Sequence, residues 1–215
     1  MYNKTVMRQS LSVGGGRAER QRQDEMEKLL LDCTLRDGGY VNDWNFGRDN
    51  IVNIFERLVS AGTDIIEVGF LDERRSFDPD RSIMPDTQSA DRIYGGLDKG
   101  GSMTVAMIDY GTCSLEHIRP ASECSLDGIR VIFKKHIMEE AFAYCEKIKA
   151  LGYKVFAQAV SITSYTPEEL LHFIDLANRV KPYAVSMVDT YGLLHQEDLV
   201  KVTKVMDEHL DGGIS

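Results

Sequence analysis

A cation and a carboxylate stand side by side at Arg36 and Asp37, after an apolar run and before two glycines, in the segment LLLDCTLRDGGY. A second carboxylate, Glu67, lies within the apolar segment IIEVGF, where a buried charge is costly unless a cation or a metal accompanies it. Asp189 follows the segment AVSMV, and together with Asp37 it could supply the hard oxygen ligands that a divalent cation prefers. These residue types indicate a polar site; the alternative is that they cap helices and close loops.

Further polar residues occur where other apolar segments end. In parallel α/β folds the carboxyl ends of the strands converge on one face, where chemistry is done. The polar residues in or after the apolar segments are Arg36, Asp37, Glu67, Asp109, Tyr110, Lys134, Lys135, His136, Gln158, Asp189 and Tyr191.

The elements that must position these residues alternate regularly from Leu29 onward. Short apolar runs with β-branched content predict strands at 29–35, 64–70, 102–108, 128–134, 154–160 and 184–190. The intervening patterns predict helices near 51–62, at 138–151, from a Thr166–Pro167–Glu168–Glu169 start, and at 195–210.

This alternation predicts an α/β fold with parallel strands, because the strands are apolar almost throughout rather than on alternate residues. Two architectures fit: a doubly wound open sheet and a (β/α)8 barrel. No GxGxxG segment follows the first strand, which argues against the dinucleotide-binding form of the open sheet.

The bulk composition excludes several classes of function. The chain has 215 residues, 43% hydrophobic and 27% charged, as in ordinary globular proteins. A net charge of −9 argues against nucleic acid or an anionic membrane as partner, and no apolar run approaches the roughly 18–20 residues that span a bilayer. Four cysteines without a CxxC pair are typical of reduced thiols, so we expect a cytoplasmic protein. Residues 1–28, with three consecutive glycines and mixed charges, are predicted to be a flexible N-terminal extension.

The segment DCTLRDGG resembles the signature after the first strand of the DRE-TIM metallolyases, the pyruvate-carboxyltransferase-like or HMG-CoA lyase-like barrels. IIEVGF is similar to that family's second strand and VDTYG to its sixth, in the same order over about residues 29–210. The LRDGGY form looks closest to the 4-hydroxy-2-oxovalerate aldolase-like branch. The resemblance implies a (β/α)8 TIM barrel that is incomplete here, with about six β/α units present.

The resemblance also implies roles for individual residues. Asp37 matches the aspartate that binds the catalytic divalent cation, Mg2+ or Mn2+, and Arg36 matches the arginine that stabilises an enolate oxygen as a carbon–carbon bond breaks or forms. Glu67 and Asp189 match acidic positions that organise Arg36 or water. Gly38 and Gly39 are then expected to turn the backbone and leave space for substrate.

Two departures from the family pattern bear on activity. The aldolases carry a histidine as general base where this chain has Tyr40, and a tyrosine with an ordinary pKa near about 10 is a poor base at neutral pH. Tyr40 is therefore expected to donate a hydrogen bond to substrate instead. The family's other metal ligands form a His-x-His pair on the seventh strand, and no such pair occurs in this sequence.

The number of β/α units predicts a partial domain. A complete barrel takes about 250 residues, so 29–215 is expected to be a TIM-barrel catalytic domain lacking its last strands, in a fragment of a longer enzyme. In a naturally short protein, a homo-oligomer, another partner or a rearranged sheet would have to cover the open sheet edges.

The loop 71–87, LDERRSFDPDRSIMPDT, is charged and follows the second strand. It is expected to be either an active-site lid whose Arg74, Arg75 or Arg81 grips a carboxylate or phosphate, or a solvated surface loop.

The leading hypothesis is a divalent-metal-dependent aldolase or lyase that cleaves or forms a carbon–carbon bond of a small 2-oxo acid or hydroxy-oxo acid through a pyruvate-type enolate. One alternative is a Claisen-type acyl-CoA transferase of the same family. The other is a catalytically silent barrel or truncated fragment that acts as a binding module, which Tyr40 and the missing His-x-His pair favour.

Overall fold

The computed structural model describes residues 28–212 as a curled sheet with helices between its strands. The strands are β1 (Leu31–Asp32), β2 (Ile65–Leu71), β3 (Ile83–Met84), β4 (Met103–Asp109), β5 (Gly128–Phe133), β6 (Lys154–Ala159) and β7 (Ala184–Met187). Six of them lie side by side in the order β1-β2-β4-β5-β6-β7, β3 pairs with the end of β2, and every pairing is parallel. The result is a half-barrel, an incomplete α/β TIM barrel, which confirms the predicted fold class.

Helices connect these strands. They are α1 (Thr34–Asp37), α2 (Arg48–Ser60), α3 (Thr87–Tyr94), α4 (Met138–Ala150), α5 (Pro167–Val180) and α6 (Gln196–His209). The predicted start of α5 is confirmed: the Thr166 hydroxyl accepts from the Glu169 N–H, and the Glu169 side chain accepts from the Thr166 N–H. None of the helices within residues 28–212 is long and apolar enough to cross a membrane.

The two faces of the sheet carry different side chains, because alternate residues of a strand point to opposite faces. On the outer face, residues such as Ile66, Ile108 and Val131 pack in the large core formed with the helices. The inner face has three tiers. Its floor is apolar, its middle is polar and buried, and its top carries Trp44, Phe70, Ile83 and Met107. The floor consists of Ile65, Val105, Phe156 and Ala184, and the middle of Glu67, Arg130, Gln158 and Ser186.

The first predicted strand is shorter than expected. The sequence predicts 29–35, but only Leu31 and Asp32 pair with β2. The Cys33 carbonyl then accepts from the backbone N–H groups of Arg36 and Asp37, at 3.1 and 2.7 Å, which turns the chain into α1. Arg36 and Asp37 therefore project from a helical turn and not from a strand end.

The loop 71–87 contains regular secondary structure. It contains β3, which is held where β2 bulges between Glu67 and Phe70. Gly69 permits this contact: its φ is +149°, and a Cβ there would lie 1.7 Å from the Ser82 carbonyl oxygen. The loop leads into α3, a helix that was not predicted from the sequence. Asp86 caps this helix by accepting from the Ser89 N–H at 2.6 Å.

The predicted N-terminal extension, apart from Lys28, lies outside the residues that the structure describes.

Candidate active site

A buried carboxylate shared by two arginines lies at the centre of the inner face. Glu67 is 0% exposed, and its Oε2 accepts from Arg36 Nε at 2.7 Å while its Oε1 accepts from Arg130 Nη1 at 2.5 Å. Arg130 is itself 2% exposed and donates from Nη2 to Gln158 Oε1 at 2.6 Å. Because arginine has no acceptor, this bond fixes the orientation of the Gln158 amide. Glu67 and Arg36 are thus in direct contact.

The guanidinium of Arg36 keeps one edge available. Its Nε binds Glu67 and its Nη1 donates to Asp37 Oδ1 at 2.7 Å, whereas its Nη2 has no hydrogen-bond partner among residues 28–212. Burial lowers the pKa of Arg36, but the charge and hydrogen bond of Glu67 and the charge of Asp37 outweigh it, so the pKa stays above its ordinary value. Arg36 is therefore a permanent cation with a free donor.

The indole of Trp44 holds the backbone of the arginine turn. Trp44 Nε1 donates to the Arg36 carbonyl oxygen at 2.7 Å, and the ring lies so close to Gly39 that a Cβ there would be 2.0 Å from Trp44 Cδ1. The equivalent atom at Gly38 would make only an ordinary contact with Phe46, at 3.6 Å. Gly38 and Gly39 form a 3-10 turn (Gly38–Val41), and the space beside Gly39 holds this indole and not substrate.

The loop 71–87 fixes Trp44 from the other side. Arg81 pairs with Asp43, and Ser82 donates from its N–H to the Trp44 carbonyl at 3.0 Å and from its hydroxyl to the Leu35 carbonyl at 2.6 Å. Asp43 and Trp44 both adopt left-handed backbone conformations, with φ of 53° and 56°, which non-glycine residues rarely do. Arg81 and Arg74 are thus engaged within the fold, Arg74 by a two-point contact with Asp72 at 2.7 and 2.6 Å.

Tyr40 lies at the open end of the site. It is 62% exposed, and its ring stacks edge-on against Trp44 and Phe70 at centroid distances of 4.9 and 6.1 Å. Partial burial of the hydroxyl raises the pKa of Tyr40, and the nearby carboxylates of Asp37 and Asp109 add to this against the charge of Arg36. The phenol therefore remains protonated at neutral pH, so it can donate a hydrogen bond but not act as a base.

Asp189 accepts hydrogen bonds within the loop that follows β7. Its Oδ1 accepts from the Leu193 N–H at 2.9 Å and its Oδ2 from the Leu194 N–H at 3.0 Å. Within residues 28–212 no hydrogen bond or ion pair joins Asp189 to Arg36, Asp37 or Glu67. The structure therefore brings together four of the five predicted site residues (Arg36, Asp37, Tyr40 and Glu67) and assigns Asp189 to the turn after β7.

The donor set does not form a complete metal site. Asp37 offers a partly exposed carboxylate, but its Oδ1 is already paired with Arg36. Across residues 28–212, no three His, Cys, Asp or Glu side chains come together in a group that could hold a metal ion. Asp37 fits a single ligand position for a divalent cation, and the described residues do not supply the others.

Arg130 was not among the site residues predicted from the sequence. The sequence contains a signal for Arg130: it is a lone arginine within the apolar strand segment GIRVIF, and a buried arginine needs a carboxylate partner. Glu67 is the lone carboxylate within the apolar strand segment IIEVGF. In the sheet, Glu67 pairs with Val105 of β4 and Arg130 pairs with Met107 of β4. Val105 and Met107 are two residues apart, so Glu67 and Arg130 lie on the same inner face.

Removal of the Glu67 charge is expected to destabilise the protein strongly. Glu67→Gln leaves the buried Arg130 without a counter-charge and Arg36 with Asp37 alone, and we expect a loss of about 3–5 kcal/mol in the free energy of unfolding. Asp175→Asn is the matched control, because it breaks an exposed pair with Arg179 and is expected to cost under about 0.5 kcal/mol. Urea denaturation measures both; equal costs would contradict the shared-carboxylate interpretation.

A methyl group is expected to be tolerated at Gly38 but not at Gly39. Gly39→Ala must displace the Trp44 indole and break its bond to the Arg36 carbonyl, which we expect to cost about 1–3 kcal/mol. Gly38→Ala has room beside Phe46 and is expected to be near neutral. Thermal unfolding followed by circular dichroism compares the two variants, and an unchanged midpoint for Gly39→Ala would rule out the close indole contact.

The chain is similar to known proteins in sequence and in fold. The chain is 21% identical over 178 residues to a 4-hydroxy-2-oxovalerate aldolase from Geobacillus genomosp. 3, covering 80% of this chain and 51% of that one, so it spans about half the length of this curated relative. It is similar in fold to the crystal structure of the N-terminal domain of a putative aldolase from Bacteroides vulgatus, with a TM-score of 0.62 and 19% identity over 85% of this chain and 61% of that chain. The model of the HMGL-like family matches residues 28–214. Since that match covers all of the residues that form the half-barrel and its arginine–glutamate centre, the chain belongs to the HMGL-like family.

Proposed function

We propose that this protein is a carbon–carbon lyase of the aldolase type, acting on a small 2-oxo acid through a pyruvate-type enolate. The observation that carries the proposal is the free Nη2 edge of Arg36, a fixed cation below the open end of the inner face. An enolate oxygen that gains charge during bond cleavage would be stabilised by such a donor without any rearrangement. The aldolase named among the relatives supports the same reaction class.

The polar neighbours would have distinct roles in this reaction. Glu67 and Arg130 would hold the Arg36 guanidinium in one orientation, because Glu67 is bound from both sides. Tyr40, protonated and at the rim, would donate a hydrogen bond to the substrate. Asp189 would act indirectly, by fixing the loop after β7.

A divalent cation, Mg2+ or Mn2+, is the proposed cofactor, with Asp37 as the ligand that this part of the chain contributes. The free Oδ2 of Asp37 suits a hard cation. Such an ion, when bound, would act as a Lewis acid on the carbonyl of a 2-oxo acid.

Exchange of the methyl protons of pyruvate for solvent deuterium tests the enolate chemistry. In the presence of Mn2+ we expect the protein to catalyse this exchange, followed by proton NMR. Arg36→Lys is expected to lower the rate about a hundredfold or more, since a lysine cannot bind Glu67 and also present a fixed second donor. Arg179→Lys, on the exposed face of α5, is the control and should retain the rate. A protein that binds pyruvate but shows no exchange would instead be a silent binding module.

Binding of Mn2+ tests the role of Asp37. We expect Asp37→Asn to weaken Mn2+ binding at least about tenfold, because the substitution removes a negatively charged oxygen ligand. The electron paramagnetic resonance signal of free Mn2+ reports the binding directly. Asp175→Asn should bind as the wild type does, and an unaltered affinity in Asp37→Asn would remove Asp37 from the metal site.

A further inference from the structure

The lyase reaction needs a base that takes the proton of the substrate hydroxyl group. Tyr40 cannot be that base, because its phenol stays protonated at neutral pH. Most carboxylates near the open end are already paired with arginines. Glu67 binds two arginines, Asp72 gives both oxygens to Arg74, and Asp37 is paired with Arg36. A proton-transfer group must be sought among the other residues at the carboxyl ends of the strands.

Asp109 occupies the suitable position. It is the last residue of β4, two residues after Met107 and four after Val105, which both face the inner side of the sheet. Alternation along the strand places Asp109 on the same face, above the arginine–glutamate tier. It is the register partner of Ile132, which packs against the cluster containing Trp44 and Phe70. These are the two rings on which Tyr40 stacks, so Asp109 and Tyr40 share the mouth of the half-barrel.

The carboxylate of Asp109 is not engaged by another side chain among residues 28–212. Its side chain accepts no hydrogen bond and joins no ion pair with any residue from 28 to 212, and the residue is exposed at the rim. The charged groups that face it are Lys134 at the end of β5, and Arg74 and Asp72 after β2. Desolvation by neighbouring atoms raises the pKa of Asp109 above its ordinary value, although Lys134 and Arg74 oppose this and Asp72 adds to it. A carboxyl group with a raised pKa is a better base than an ordinary aspartate.

We propose that Asp109 is the acid–base residue of this lyase, a role that rests on the proposed function. Its carboxylate takes the proton from the hydroxyl group of a 4-hydroxy-2-oxo acid. The O–H electrons form the aldehyde carbonyl, and the electrons of the breaking C3–C4 bond form the C2–C3 double bond of the enolate, whose charged oxygen faces Arg36. Protonated Asp109 then returns the proton to C3, which gives the methyl group of the 2-oxo acid and regenerates the carboxylate.

Pyruvate methyl exchange in deuterium oxide tests this assignment, because the same base must remove a C3 proton. Asp109→Asn is isosteric at an exposed position and is expected to lower kcat for exchange about a hundredfold or more, with KM changed less than twofold. The wild-type rate should rise with pD through the pKa of Asp109, since only the ionised form accepts a proton, and then level off. Asp109→Asn should lose this dependence, and Asp109→Glu should recover part of the rate.

Two further variants separate the assignment from its rivals. Asp49→Asn changes an exposed aspartate in the first turn of α2 and should exchange as fast as the wild type. His136→Gln removes the exposed imidazole that follows β5 and should also retain the rate. Exchange that survives in Asp109→Asn, or that is lost in His136→Gln instead, overturns the role of Asp109 and leaves the lyase proposal intact. Absence of exchange in the Mn2+-loaded wild type rejects the lyase proposal itself, and the role of Asp109 with it.

Discussion

The buried Glu67 carboxylate constrains the whole inner face of this half-barrel. A fully buried negative charge is unfavourable by several kcal/mol unless it is compensated, and here each of its two oxygens is bound by a different guanidinium. The three charges sum to one positive charge, and Asp37 balances it from the partly exposed side. The direction of the Arg36 guanidinium is thus set by a partner that cannot move, since Glu67 is held from the opposite side by Arg130.

The polar middle tier of the inner face, which contains Glu67 and Arg130, separates an apolar floor from an apolar and aromatic upper tier. The floor below it is closed by Phe156 and its apolar neighbours, and the tier above it is made of Trp44, Phe70, Ile83 and Met107. Tyr40 and Asp109 are exposed on the upper side of the polar tier, from which a small polar molecule can approach Arg36. Charge at the centre with aromatic rings around it is an arrangement that favours a small anion over a large apolar ligand.

The long strands and the buried acid could be predicted from sequence because their signals are local. Continuous apolar runs predicted β2, β4, β5 and β6 within one or two residues, and the capping residues at Thr166 predicted the start of α5. Glu67 was identified because a carboxylate within IIEVGF is conspicuous. The end of the first strand was not predictable in this way. The apolar residues of LLLDCTL continue past Asp32 to Leu35, and the turn at Cys33 depends on backbone bonds that close around Trp44 and Ser82. The partnership of Arg130 with Glu67 spans three strands, so it required the register of the sheet.

The indole of Trp44 has a use beyond packing. Trp44 is the only tryptophan in the chain, and it binds the Arg36 carbonyl, contacts Gly39 and stacks against Tyr40. The tryptophan fluorescence of this protein therefore arises entirely from the wall of the candidate active site. The natural protein carries its own optical reporter there, so occupancy of the site and opening of its wall can be followed by intrinsic fluorescence without attaching a dye.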